Sequence, residues 1–223
     1  HVLPKVGNKK GQITAVDVGC SIGTFAIEFA KSGYRSYGID FDNSALDIAR
    51  QLAKEENVTP EFVCGDVSNW SDSFPNIDIA MCFDIFEHLH DDELGSLLTS
   101  IKRQLSKNGS LVFHTFPTQY DYIFFTKYRY PLIPFSYLFS SKFFNVVVKM
   151  YARILDIGLL FKKGVTYKER IKKYGHCNPT TIERLTEILQ RAGYEIEFIE
   201  TANLYNFKKS IQKRFSRHPI SHR

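Results

Sequence analysis

The sequence predicts an α/β fold built on a doubly wound sheet. Three observations point there. An apolar run over residues 13–18 ends in a glycine turn and a helix-forming segment, the next two strand-like runs each close on an acidic residue, and further apolar runs follow at helix-length intervals. Strands alternating with helices make right-handed βαβ units, and parallel strands bring their C-terminal ends to one edge.

The first unit carries the strongest signal. Residues 15–24 read Ala-Val-Asp-Val-Gly-Cys-Ser-Ile-Gly-Thr. Phe25 to Lys31 has helical composition, and Gly33 suits a helix C-terminus. A strand, a tight glycine turn and a helix let a ligand approach bare backbone at a helix N-terminus. A dinucleotide site would need G-x-G-x-x-G, but Ser21 and Thr24 stand where its second and third glycines would fall. Asp17, two residues before Gly19, would repel a pyrophosphate and suits an amine. A ligand with an α-amino group and a sulfonium centre fits better.

In the second unit, Tyr37 to Ile39 predicts a strand ending at Asp40, followed by Phe41. An acid about 20 residues past the glycine turn accepts ribose hydroxyls in a doubly wound sheet, and Phe41 offers an apolar face to an adenine ring. Asn43 or Ser44 is expected to cap the next helix. The third strand runs through Phe62 and Val63 to Gly65-Asp66-Val67. The fourth runs from Asp78 to Phe83-Asp84, with Phe86 to Leu89 turning into a helix. Asn108-Gly109 predicts a turn and Ser110 to Phe116 the fifth strand.

These motifs resemble, in order and spacing, those of class I S-adenosylmethionine (SAM)-dependent methyltransferases. Residues 17–23 are similar to the family's D/E-x-G-x-G-x-G, with Ser21 for the middle glycine. Residues 76–89 are similar to its hydrophobic run ending in E-H-L, and residues 105–113 to its L-K-P-G-G-x-L. The match covers residues 13–117 and resumes at 174–185, where Asn178 and Pro179 suit a helix start. The resemblance implies a Rossmann-like fold with a mixed sheet and a helical cap inserted after strand five. It also implies SAM as cofactor and S-adenosylhomocysteine (SAH) as product. Gly19, Cys20 and Gly23 would hold the amino-acid end through backbone, Asp17 its amine through water, and Asp40 the ribose. Phe41, Asp66, Val67 and Phe83 would line the adenosine site.

The catalytic candidates follow the strand ends. Methyl transfer from a sulfonium mostly requires alignment and exclusion of water, with a base only for a protonated acceptor. His88 and His176 are the expected acceptor-positioning or base residues, with Asp84 and His114 also near strand ends. Alternation along the fifth strand leaves His114 equally open to a core role. Asp84-x-x-Glu87-His88, with His176, is similar to the E-x-x-E-H metal pattern of ubiquinone-pathway and small-RNA O-methyltransferases. Asp84 shortens the first ligand, and the expectation is a site without metal.

Composition narrows the setting. The 223 residues, 43% of them hydrophobic, suffice for one full core. Residues 1–223 are expected to form a single methyltransferase domain, with 118–175 as a helical substrate lid and 208–223 as a basic tail. Of the net charge of +5, the tail contributes six Lys or Arg and no acid, so the remainder is close to neutral. That argues against the alternative of a nucleic-acid methyltransferase; a SAM- or nucleoside-binding protein without catalysis is the other alternative. Cys20, Cys64, Cys82 and Cys177 form no C-x-x-C pair, which fits reduced thiols in a cytoplasmic protein.

About half of the chain's aromatic residues fall between Phe116 and Tyr174. No stretch there reaches the length of a membrane span, and Pro131 and Pro134 interrupt it. A lid over the acceptor, a surface lying in a membrane interface and a homodimer contact are the competing readings. The lid reading puts Tyr120, Tyr122 or Phe125 near the acceptor and predicts a small but bulky or lipid-like molecule; oxygen is the expected methylated atom, with nitrogen as the alternative. Peripheral membrane contact, and the choice between monomer and homodimer, stay open.

Overall fold

Five consecutive buried residues, Thr14–Val18, form the central strand β1 of the computed structural model, which describes residues 10–67, 74, 76–116, 123, 127–161, 182–197 and 208. A strand buried along its whole length is what a parallel sheet covered by helices requires. The others are β2 (Arg35–Asp40), β3 (Glu61–Cys64), β4 (Ile77–Phe83) and β5 (Leu105–His114), in the order β3-β2-β1-β4-β5. All four pairings are parallel. An antiparallel strand, which a mixed sheet needs, would fall outside the described residues. The order reverses between β1 and β4, the point where a doubly wound sheet opens a crevice at its strand C-termini.

Helices α1 (Thr24–Lys31), α2 (Asn43–Glu55) and α3 (Asp91–Gln104) make the crossovers. Each buries residues at helical spacing, such as Leu46, Ala49 and Ala53 on α2. The α2 cap differs from expectation. Asp42, one residue before Asn43, accepts hydrogen bonds from the backbone N–H groups of Ser44 (2.9 Å) and Ala45 (3.4 Å). Its extended backbone turns one carboxylate oxygen onto both donors, leaving Asn43 and Ser44 inside the first turn.

Strand β5 also differs. It begins at Leu105 and ends at His114, two residues short of the expected Phe116. While β4 advances from Ile77 to Ile79, β5 advances from Leu105 to Ser110, so Asn108-Gly109 lies in a wide bulge rather than a free turn. A Cβ on Gly109 would sit 2.6 Å from the Ile77 carbonyl oxygen, which explains the glycine. Asp78 anchors this end, accepting from the Thr14 N–H (2.9 Å) and the Ser106 hydroxyl (2.7 Å).

The chain divides into two compact units, residues 1–115 with 187–195, and residues 116–186 with 196–223. The first holds the sheet, with Ile13, Ala15, Phe29, Ile79 and Met81 as one core cluster. Within it, Tyr194 donates to the Leu98 carbonyl (2.9 Å) and Lys102 lies 5.1 Å from the Tyr194 ring centre. The second unit holds α4 (Leu132–Leu138), α5 (Ser141–Phe161) and the first half of α6 (Ile182–Arg191). Its core is Ile123, Leu132, Phe144, Val148 and Ala152. No helix among the described residues is long and apolar enough to cross a membrane. Most of the basic tail, together with His176, Cys177, Tyr120, Tyr122 and Phe125, lies outside the described residues.

Candidate active site

The turn after β1 is built from left-handed backbone. Gly19, Ser21 and Gly23 have φ of 72°, 47° and 78°. Two contacts explain the glycines. A Cβ on Gly19 would lie 2.6 Å from Ile85 Cδ1, and one on Gly23 would lie 2.7 Å from the Phe62 ring and 2.9 Å from Ala49 Cβ. Gly19 therefore lets the turn close against the segment after β4, at the reversal of strand order. Gly23 seats the start of α1 against α2 and β3.

The turn's own hydrogen bonds decide what it can hold. Gly19 and Cys20 both donate to the Ile39 carbonyl (2.8 and 3.0 Å), Gly23 to the Cys20 carbonyl (2.7 Å), and Ser21 to Asp40 Oδ2 (2.8 Å). Four backbone N–H groups are thus engaged internally, so these residues make no phosphate cradle. What they can present to a ligand is carbonyl oxygen, a partner for an amine.

Asp17 lies beneath this turn, within β1. It is 3% exposed, and its Oδ2 has no hydrogen-bond partner among the described residues. Burial pushes its carboxyl from 3.8 up to about 7. The Ala26 and Phe25 N–H groups pull the other way, while the negative charge of Asp40 adds to the rise. A buried carboxylate oxygen without a donor is costly and marks a place for a cationic or N–H-bearing group.

Asp40, at the end of β2, is 8% exposed. It accepts from the Ser21 and Asp42 N–H groups, one on each oxygen (2.8 and 2.9 Å). Both bonds fix the carboxylate, and each oxygen keeps a further lone pair for a hydroxyl. The adjacent Phe41 ring is 79% exposed, a large apolar face left open. The Gly65 N–H donates to the Asp40 carbonyl (2.9 Å), which holds the exposed Asp66 and buried Val67 at the same sheet edge. Phe83, at the end of β4, packs edge-on against Phe25 of α1 at 4.8 Å between ring centres.

Beyond Phe83, two strand ends meet through side chains. His114 Nδ1 lies 2.6 Å from Asp84 Oδ1, and both side chains are more than half exposed. The sequence left His114 open to a core role; β5 ends at this residue, so its ring stands at the sheet edge. Glu87 is 1% exposed and accepts from the Thr115 hydroxyl (2.9 Å). His88 is exposed on the turn Phe86–His88, its N–H bonded to the Ile85 carbonyl (3.0 Å). Asp84 and Glu87 therefore reach different partners. No group of three metal-ligating side chains occurs among the described residues. Cys20 and Cys82 are buried thiols whose ionisation burial pushes up, and Cys64 is an exposed free thiol.

Residues 15–109 match the family model described as a methyltransferase domain. The chain is 28% identical over 191 residues to a ubiquinone biosynthesis O-methyltransferase of Alkalilimnicola ehrlichii, covering 83% of this chain and 76% of that one. It is 25% identical to the protein of the same description from Coxiella burnetii, over 56% of this chain and half of that one. Among solved structures, the PH0226 protein of Pyrococcus horikoshii aligns over 52% of this chain and 54% of that one, with 22% identity and a TM-score of 0.47. With its methyltransferase domain over residues 15–109, the chain is similar to the class I SAM-dependent methyltransferases.

Proposed function

We propose that this methyltransferase acts on a hydroxyl oxygen of a bulky, partly apolar small molecule. The observation that carries the cofactor half is the buried Asp17 oxygen, unpartnered among the described residues, under a turn whose N–H groups are engaged internally. That arrangement fits the amino group of SAM and not a dinucleotide. Gly19, Cys20 and Gly23 would hold the amino-acid end, Asp40 the ribose hydroxyls, and Phe41, Asp66, Val67 and Phe83 the adenosine surroundings. SAM, when bound, supplies a methyl group activated by the sulfonium. The protein's part is to orient the acceptor, exclude water and remove a proton where the acceptor carries one. His88, exposed after β4, would contact the acceptor.

The acceptor half rests on two supports. The relatives matched are described as O-methyltransferases. In addition, α5 exposes Phe143, Val146, Met150 and Ile154 on one side, opposite the face that buries Phe144, Val148 and Ala152. Lys142, Lys149 and Arg153 border that exposed stripe. An apolar stripe with a cationic margin suits an anionic lipid surface, where a lipid-like acceptor would reside.

The test has two parts. Calorimetry should show SAH binding far more tightly than NAD; equal affinities would refute the cofactor assignment. Transfer of radiolabelled methyl should go to long-chain alkylphenols presented in anionic vesicles and not to RNA. Labelling of RNA alone would replace this reading with the nucleic-acid one.

A further inference from the structure

From the meeting of β4 and β5 we infer a histidine base, with His114 Nε2 taking the acceptor's proton and Asp84 positioning the ring. The inference rests on the hydroxyl-directed reading above. His114 is the last residue of β5 and pairs in register with Phe83, the last of β4. The next residue, Asp84, adopts φ of 54°, a left-handed conformation rarely used by residues other than glycine. Two bonds accompany that conformation. The Asp84 N–H donates to the His114 carbonyl (3.0 Å), and Asp84 Oδ1 lies 2.6 Å from His114 Nδ1.

A carboxylate can only accept, so Nδ1 carries the proton in this pair. Nε2 is then the basic nitrogen, on a ring 57% exposed. The ring's location relates it to the cofactor turn. His114 lies 5.9 Å from the Phe83 ring centre, and Phe83 packs on Phe25, two residues after Gly23. The dyad thus stands at the same strand edge as Asp17, Asp40 and Asp66. In the reaction, the hydroxyl proton passes to Nε2 and the oxygen lone pair forms the new O–CH3 bond. The methyl–sulfur bond breaks with its electron pair kept by sulfur. The imidazolium, neutralised by Asp84, later returns the proton to water. Asp84 touches no reacting atom and is a positioning residue.

Two measurements test this, one of them independent of turnover. Long-range proton–nitrogen NMR of the full chain, with His114 assigned by loss in His114→Gln, should report the Nδ1–H tautomer. Asp84→Asn should shift it toward Nε2–H, because the amide can donate to Nδ1. An unchanged tautomer in Asp84→Asn overturns the dyad. For turnover, the probes are 4-tert-octylphenol and its 2-nitro derivative, which is ionised at pH 8 without help. His114→Gln should lower kcat on the first by about 100-fold or more and on the second by less than about tenfold, with SAH affinity unchanged. Equal losses on both phenols, no loss on either, or no wild-type transfer to either while SAH still binds overturns the inference. So does activity abolished by EDTA, which would make Asp84 a metal ligand. Failure of the wild-type chain to bind SAH would instead refute the functional reading beneath it.

Discussion

Replacing Asp17 by Asn isolates the energetic consequence of burying an acid under the glycine turn. The carboxyl is 3% exposed and its pKa is pushed from 3.8 up to about 7. Below the ordinary value both folded and unfolded chains hold the proton, and the group contributes no pH dependence. Between the two values the unfolded chain has ionised while the folded one keeps its proton, so stability falls as pH rises. Above about 7 both are ionised and the curve levels. A separation of about three pH units, at about 1.4 kcal/mol each, amounts to roughly 4 kcal/mol. Urea unfolding of wild type and Asp17→Asn, followed by circular dichroism from pH 4 to 8, measures it. Groups common to both proteins cancel, so the stability difference should move in favour of Asn by roughly 4 kcal/mol across that range. Two curves that stay parallel would refute the burial argument. The same charge should reverse roles with ligand. An amine beside Asp17 favours the carboxylate, so SAH binding at pH 6 should release close to one proton. Calorimetry in buffers of different ionisation enthalpy reads that release.

Further outcomes follow from the same geometry. Gly23→Ala places a side chain at φ of 78°, 2.7 Å from the Phe62 ring; urea unfolding should report a loss of about 2–4 kcal/mol. Asp40→Ala removes the acceptor for two backbone N–H groups and, in the proposed reading, for the ribose hydroxyls. Calorimetry should find SAH binding weaker by about 1–3 kcal/mol. Asp42→Ala should cost about 1 kcal/mol of stability through the α2 cap, with SAH affinity unchanged, because among the described residues its carboxylate serves only Ser44 and Ala45. Phe41→Ala should weaken SAH binding while leaving unfolding energy within about 0.5 kcal/mol, since an exposed ring adds little to the fold.

Much of the site was legible because its signals are local. The left-handed backbone at Gly19 and Gly23 can be read from glycine placement alone, and Asp40 and Asp66 stand where strands end in the chain itself. The buried state of Asp17 follows from its place in an apolar run. His114 was not legible in this way. Its exposure depends on where β5 stops, and a bulge at residues 106–109 shifts the alternation along the strand before that point. The Asp42 cap was missed for a smaller reason, since Asn43 and Ser44 beside it have equal capping chemistry and only backbone direction separates them.

The sequence by itself determined the succession of strands and helices, the glycine turn after β1 and the acids at the strand ends. Each depends on residues within one strand–turn–helix unit, where conformational preference and side-chain period act over a few positions. Only the tertiary structure decided which groups share partners. It tied four turn N–H groups to Ile39, Asp40 and Cys20, left Asp17 Oδ2 without a donor among the described residues, and joined Asp84 to His114 across 30 positions of chain. Those pairings arise from the parallel register of β4 with β5 and of β1 with its neighbours. Register is set by the whole sheet's packing, and no local stretch of sequence encodes it.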